Sequence, residues 1–158
     1  MKFHISDLYF LIGNWEGSGY AQFPTIESVE YNESMTFSSN HSDPVIFYEQ
    51  RSWISSGPKS GKPIFWESGF IIQKENNEFI LSNCQKSGRV ELSKGKVSIE
   101  PDSMKMIFEN EINSDPRLER ITREYNFNPE VITYKLNMKM KNVDKHQNHL
   151  RAFLKMIK

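Results

Sequence analysis

The feature that most constrains the fold is strict alternation of apolar and polar residues. In residues 132–141, Ile132, Tyr134, Leu136, Met138 and Met140 alternate with Thr133, Lys135, Asn137, Lys139 and Lys141. A period of two places one set on a dry face and the other on a wet face of a strand, whereas a helix would scatter both sets around its axis. The same pattern recurs in 29–37, where Val29, Tyr31, Met35 and Phe37 oppose Glu30, Asn32, Ser34 and Thr36. It recurs again in 118–127, where Ile121, Arg123, Tyr125 and Phe127 oppose Arg120, Thr122, Glu124 and Asn126.

Turn-forming clusters separate these runs: "SSNHSDP", "SSGPKSGKP", "KENNE", "SKGK", "EPDS", "NSDPR" and "NFNPE". They delimit about ten strands, at 14–22, 28–38, 44–54, 64–73, 78–85, 88–93, 96–100, 103–111, 118–127 with 131–141, and 148–157. Only "ISDLYFLIG" reads as helical, with Ser6 or Asp7 as its cap. Consecutive short antiparallel strands form a meander, and closing it removes the exposed edges. The expected fold is all-β: a closed antiparallel up-and-down β-barrel of about ten strands with a short N-terminal helix, of the lipocalin-like kind. Residues 1–158 make one domain, and a barrel of this size has room for one small ligand.

Charge and cysteine content narrow the partners. Twenty basic residues balance twenty acidic ones and neither sign forms a long run, which argues against a nucleic-acid surface. Cys84 is the one cysteine, so no internal disulfide can form. The N-terminal stretch lacks the apolar core of a signal peptide, and no apolar run reaches the ~18 residues of a membrane span. These features predict a cytoplasmic protein.

No phosphate-binding glycine loop, GxSxG elbow, CxxC or HExxH is present. Two features invite chemistry. In "IGNWEGSG", Gly13, Trp15, Gly17 and Gly19 alternate, and bare positions on one face of a strand admit either a flat ligand or a neighbouring strand. Trp15 would close the base of the barrel or line its cavity. Of the four histidines, His4 and His41 fall at the terminus and in a turn. His146 and His149 stand in "HQNHL", three apart, which on a strand sends them to opposite faces and disfavours joint chelation. A single imidazole at a strand mouth suits the axial position of a haem iron. Parity opposes this for His149: Leu150, Ala152, Leu154 and Met156 form the apolar face, so His149 turns outward unless a bulge intervenes.

"GNWEGSG", "FPTIESVEY", "PIFWESGFI", "QKSGRVELSKG", "ERITREYNF" and "NHLRAFL", in this order and spacing, resemble the nitrobindins, haem-binding β-barrels related to fatty-acid-binding proteins. The resemblance runs from about residue 8 to the C-terminus. It implies one haem b per chain, with His149 as the axial iron ligand. It further implies cofactor contacts from Trp15, Gly17 and Gly19 of the GxWxGxG motif, and from Thr25, Ile64, Phe65 and Gln85. The implied chemistry is nitric oxide binding and isomerisation of peroxynitrite to nitrate. Some nitrobindins carry a histidine where this chain has Phe65, so a more apolar distal pocket is expected here. Lys141, Lys145 and Arg151 are candidates to reach a haem propionate, against a solvated rim. The resemblance leaves open whether barrels pair as homodimers. The alternative reading is a non-enzymatic carrier of a fatty acid or other lipophile, for which Arg123 would be the interior cation. A barrel used only as an interaction module would instead fill its cavity with side chains.

Overall fold

Each alternating segment forms a strand that pairs antiparallel with the next, and the last strand returns to pair with the first. The structure, a computed structural model, describes residues 2–23, 26–75, 77–141 and 147–157. The strands are β1 (Gly13–Phe23), β2 (Ile26–Ser38), β3 (Val45–Ile54), β4 (Pro63–Gln73), β5 (Glu78–Gln85), β6 (Val90–Ile99), β7 (Met104–Asn113), β8 (Leu118–Phe127), β9 (Val131–Met140) and β10 (Gln147–Met156). They close into a barrel in the order β1-β10-β9-β8-β7-β6-β5-β4-β3-β2, so no sheet edge is left open.

One end of the barrel is plugged. Residues Ile5–Leu11 form a 3-10 helix that buries Ile5, Leu8 and Leu11. Gln73 at the end of β4 tethers it, accepting from Ile5 N at 2.7 Å and donating to Phe3 O at 2.7 Å. The cap is His4, whose side chain accepts from Ser6 N while Asp7 accepts from His4 N; Asp7 thus serves at the third helical position and Ser6 is not the cap. Behind the helix, Trp15, Phe37, Tyr48, Phe79, Phe108, Phe127 and Leu154 fill the lower barrel.

The expected break at "SKGK" is absent: the two strands expected at 88–93 and 96–100 merge into one, β6, which runs from Val90 to Ile99. Gly95 sits within it because a Cβ there would lie 2.4 Å from Cδ1 of Phe108, whose ring packs against the bare backbone. The glycine serves side-chain packing rather than a turn.

Candidate functional site

Five strand pairs carry register shifts, and a β-bulge lets neighbouring residues share a face. The shift in β10 decides the histidine. Asn148 pairs with Asn137 and Leu150 with Leu136, leaving His149 as the extra residue. Both His149 and Leu150 are consequently buried, at 4% and 7% exposure. Strict alternation would have sent His149 to solvent. A second shift, where Ser52 pairs with Phe65 and Trp53 with Pro63, leaves Ile64 extra in β4. Ile64 and Phe65 then line the same cavity although they are adjacent in sequence.

That cavity, of about 520 Å³, occupies the barrel end opposite the helical plug. It is within the range of small-molecule and cofactor sites. His149 stands on its β10 wall beside Leu136, Met138 and Leu150. Phe65 and Gln85 stand on β4 and β5, four and five strands round the barrel from β10, and so form the facing wall. Gln85 is buried and its amide Nε2 donates to Glu91 Oε1 at 3.4 Å. Lys86, Arg89, Arg117 and Lys141 contribute cations to the rim, together with the acid Asp115.

Beneath the cavity lies a tier of buried polar side chains that separates it from the apolar base. Arg123 donates from Nη1 to Glu67, at 3.0 and 3.1 Å, and from Nη2 to Glu91 at 2.6 Å. Tyr48 donates to Glu67. Burial opposes the charge of Glu91, but Arg123 and Arg89 outweigh it and hold the carboxyl below its usual range. Glu33 has no cationic partner among the described residues: burial pushes its carboxyl up to about 8, while hydrogen bonds from Tyr134, at 2.6 Å, and Gln50 pull the other way. At neutral pH Glu33 is therefore mainly a neutral acid. Tyr134 links this acid to Tyr31 through a hydroxyl pair at 2.9 Å, and the Tyr31 side of the pair reaches the cavity floor.

The motif residues of β1 lie elsewhere. Trp15 is fully buried at the plugged end, its Nε1 donating to Leu11 O at 2.8 Å, and it closes the base. A Cβ on Gly17 would fall 1.8 Å from Phe153 O, so the β10 backbone is what approaches there. At Gly19 it would meet the Tyr31 ring at 2.3 Å. Trp15, Gly17 and Gly19 are not among the residues lining the cavity; Gly19 shapes it by admitting Tyr31, which does line it. Arg151 is exposed and lies outside the cavity lining. Thr25, Lys145 and His146 lie outside the described residues. His4 and His41 are exposed, as a terminus and a turn imply.

Sequence reasoning missed the polar tier, although its signal was present. Glu33 and Arg123 occupy apolar-parity positions of β2 and β8, and a charge in such a place needs an interior partner.

Residues 4–156 match the family described as THAP4-like, heme-binding beta-barrel domain. The chain belongs to this family, the nitrobindins. Among its relatives is a protein of Arabidopsis thaliana named peroxynitrite isomerase Rv2717c, 29% identical over 150 residues that span 95% of this chain and 87% of that protein. A peroxynitrite isomerase of Nocardia farcinica is 29% identical over 106 residues, 67% of this chain and 61% of that protein. The crystal structure of Rv2717c from M. tuberculosis superposes with a TM-score of 0.86 at 25% identity, covering 98% of this chain and 97% of that one. The nitrobindin cavity of this chain has the chemistry a haem asks for: one buried imidazole, apolar walls for the macrocycle, and cations at the mouth for its carboxylates.

Proposed function

We propose that this chain binds one haem b in the mouth cavity, with His149 as the axial ligand, and that in the ferric state it binds nitric oxide and isomerises peroxynitrite to nitrate. The observation that carries the reading is the β10 bulge, which buries His149 in the cavity against the parity of its strand. Conversion of peroxynitrite to nitrate is a rearrangement that conserves every atom and electron, so it requires no external reductant. Bound haem supplies the iron at which that rearrangement and the capture of nitric oxide occur.

The chain's own residues have limited tasks. His149 offers an imidazole nitrogen, and its place between Asn148 and Leu150 on a paired strand fixes the direction of approach. Leu136, Met138 and Leu150 exclude water from the same side. On the facing wall Phe65 cannot donate a hydrogen bond, so polar contact there falls to neighbours such as Ser52, Gln85 and Arg89. No general acid is needed, because no proton is gained or lost between peroxynitrite anion and nitrate.

The lipophile-carrier reading uses the same cavity and calls on Arg123 as its interior cation. Arg123 is buried as expected of such an anchor, yet both terminal nitrogens are already paired with Glu67 and Glu91. A third carboxylate brought there would be buried without compensation.

The test is spectroscopic. His149→Ala should retain the strand-rich circular dichroism of the parent, lose more than about 100-fold in ferric haem affinity by Soret titration, and lose peroxynitrite isomerisation. His146→Ala should match the parent. A parent without saturable haem binding, or a His149→Ala protein with the parent's Soret band, would overturn the assignment.

A further inference from the structure

Among the described residues, charge around the cavity closes into ion pairs except at two rim positions. Inside the barrel Glu67 and Glu91 face Arg123 and Arg89, and Glu33 is held mainly as the neutral acid by burial. On the connection before β8, Asp115 takes Arg117 through two side-chain contacts, of 3.0 and 2.9 Å, that hold its carboxyl near about 2. Lys86, just after β5, and Lys141, at the end of β9, remain. Both line the cavity and both are exposed. Neither has an ion-pair partner among the described residues. Lys141 also acts on the carboxylate of Glu119, which is bonded to Lys139 instead, so among the described residues the rim carries more positive than negative charge.

Two further facts give the excess a direction. Lys86 and Lys141 lie at the ends of strands four places apart in the barrel order, so they flank the mouth from different walls. Arg89, on the same turn as Lys86, lines the cavity with a buried Nε that has no hydrogen-bond partner. A buried donor without an acceptor is costly, and an anion at the mouth would relieve it.

We propose that Lys86 and Lys141 clamp the two propionate carboxylates of the bound haem, with Arg89 as a supporting donor beside Lys86. This rests on the haem reading above and deepens it. Two unpaired cations answer two carboxylates, whereas a fatty acid would satisfy one and leave the other. The clamp orients the macrocycle with its charged edge at the water and its apolar part against the walls below.

The experiment compares ferric haem with its dimethyl ester, in which both carboxylates are capped while the iron is unchanged. The protein is Lys86→Gln/Lys141→Gln, two exposed positions whose substitution leaves the barrel core untouched. Exposed pairs of this kind are worth about two- to fivefold each, so the double variant should lose about tenfold in haem affinity and less than about twofold in ester affinity. Added salt should weaken haem binding by the parent and leave ester binding unaffected. If the double variant binds both ligands as the parent does, or weakens both equally, the clamp is wrong while the haem site stands. If the parent binds neither ligand saturably, the haem reading itself fails and the clamp falls with it.

Discussion

Replacing Glu33 by Gln should change how stability depends on pH, by an amount the structure sets. Glu33 is 1% exposed and has no cationic partner among the described residues; burial raises its carboxyl from 4.5 to about 8. Its folded pKa lies above the unfolded one, so the native state keeps a proton that the unfolded chain releases. That contribution is fully present below about pH 4.5 and is lost as pH rises through about 8. Between about pH 5 and pH 7 the loss amounts to about 2 kcal/mol. The amide of Glu33→Gln carries no titrating proton and suffers no such loss. Its geometry also fits once the Gln50 amide, which donates to Glu33 here, flips: Tyr134 can donate to the new amide oxygen, and the new amide nitrogen to Gln50 Oε1, a buried acceptor without a partner. Urea unfolding of both proteins at several pH values, followed by tryptophan fluorescence, measures the difference directly. The variant should gain about 2 kcal/mol on the parent between about pH 5 and pH 7, with unchanged denaturant slope. Parallel pH curves would refute the reasoning and mean that the tier holds Glu33 as a buried carboxylate.

Gly17→Ala should cost about 3 kcal/mol or more in the same assay, because the added methyl meets the Phe153 carbonyl, which belongs to paired backbone and cannot swing aside; a loss under about 1 kcal/mol would mean that β1 and β10 separate readily. Phe65→His should place a polar group on the wall facing His149, shifting the ferric spectrum or nitric oxide affinity while leaving haem uptake within about a few fold. Identical spectra and affinities would show that position 65 does not face the bound ligand.

The barrel was legible because its signal is redundant. Alternation in 29–37, 118–127 and 132–141 was enough to imply strands, and the break wrongly expected within one strand fell at a residue whose role lies across the sheet rather than along the chain. Gly95 resembled a turn glycine because its packing partner, Phe108, stands on the next strand. Trp15 was legible as large and constrained, but whether it closed the base or lined the cavity depended on which end of the barrel the helix would plug. Leu11 O, its hydrogen-bond partner, shows that end. The orientation of His149 was not legible from parity at all. A bulge adds one residue to a strand without any change in composition, so period-two reasoning gives the opposite face from that point on.

The bulges and the polar tier solve one physical problem together. A barrel filled throughout by apolar side chains has a core but no site, and an open barrel has a site but little to hold it together. Here the base is packed by Trp15, Phe37, Phe79, Phe108 and the helical plug. The tier above it binds six strands to one another through Glu33, Tyr134, Glu67, Arg123, Glu91 and Gln50. Such a network is costly to dehydrate, yet removing any one member leaves others buried and unpaired, so it resists collapse into the space above. The strands can therefore be irregular at the mouth, where four of the five register shifts border cavity-lining residues. Irregular pairing there brings Ile64 beside Phe65 and His149 beside Leu150 onto the inner surface. His149 thus turns inward above a tier that keeps the barrel open beneath it, and on the proposed reading the histidine, not the tier, would meet the iron.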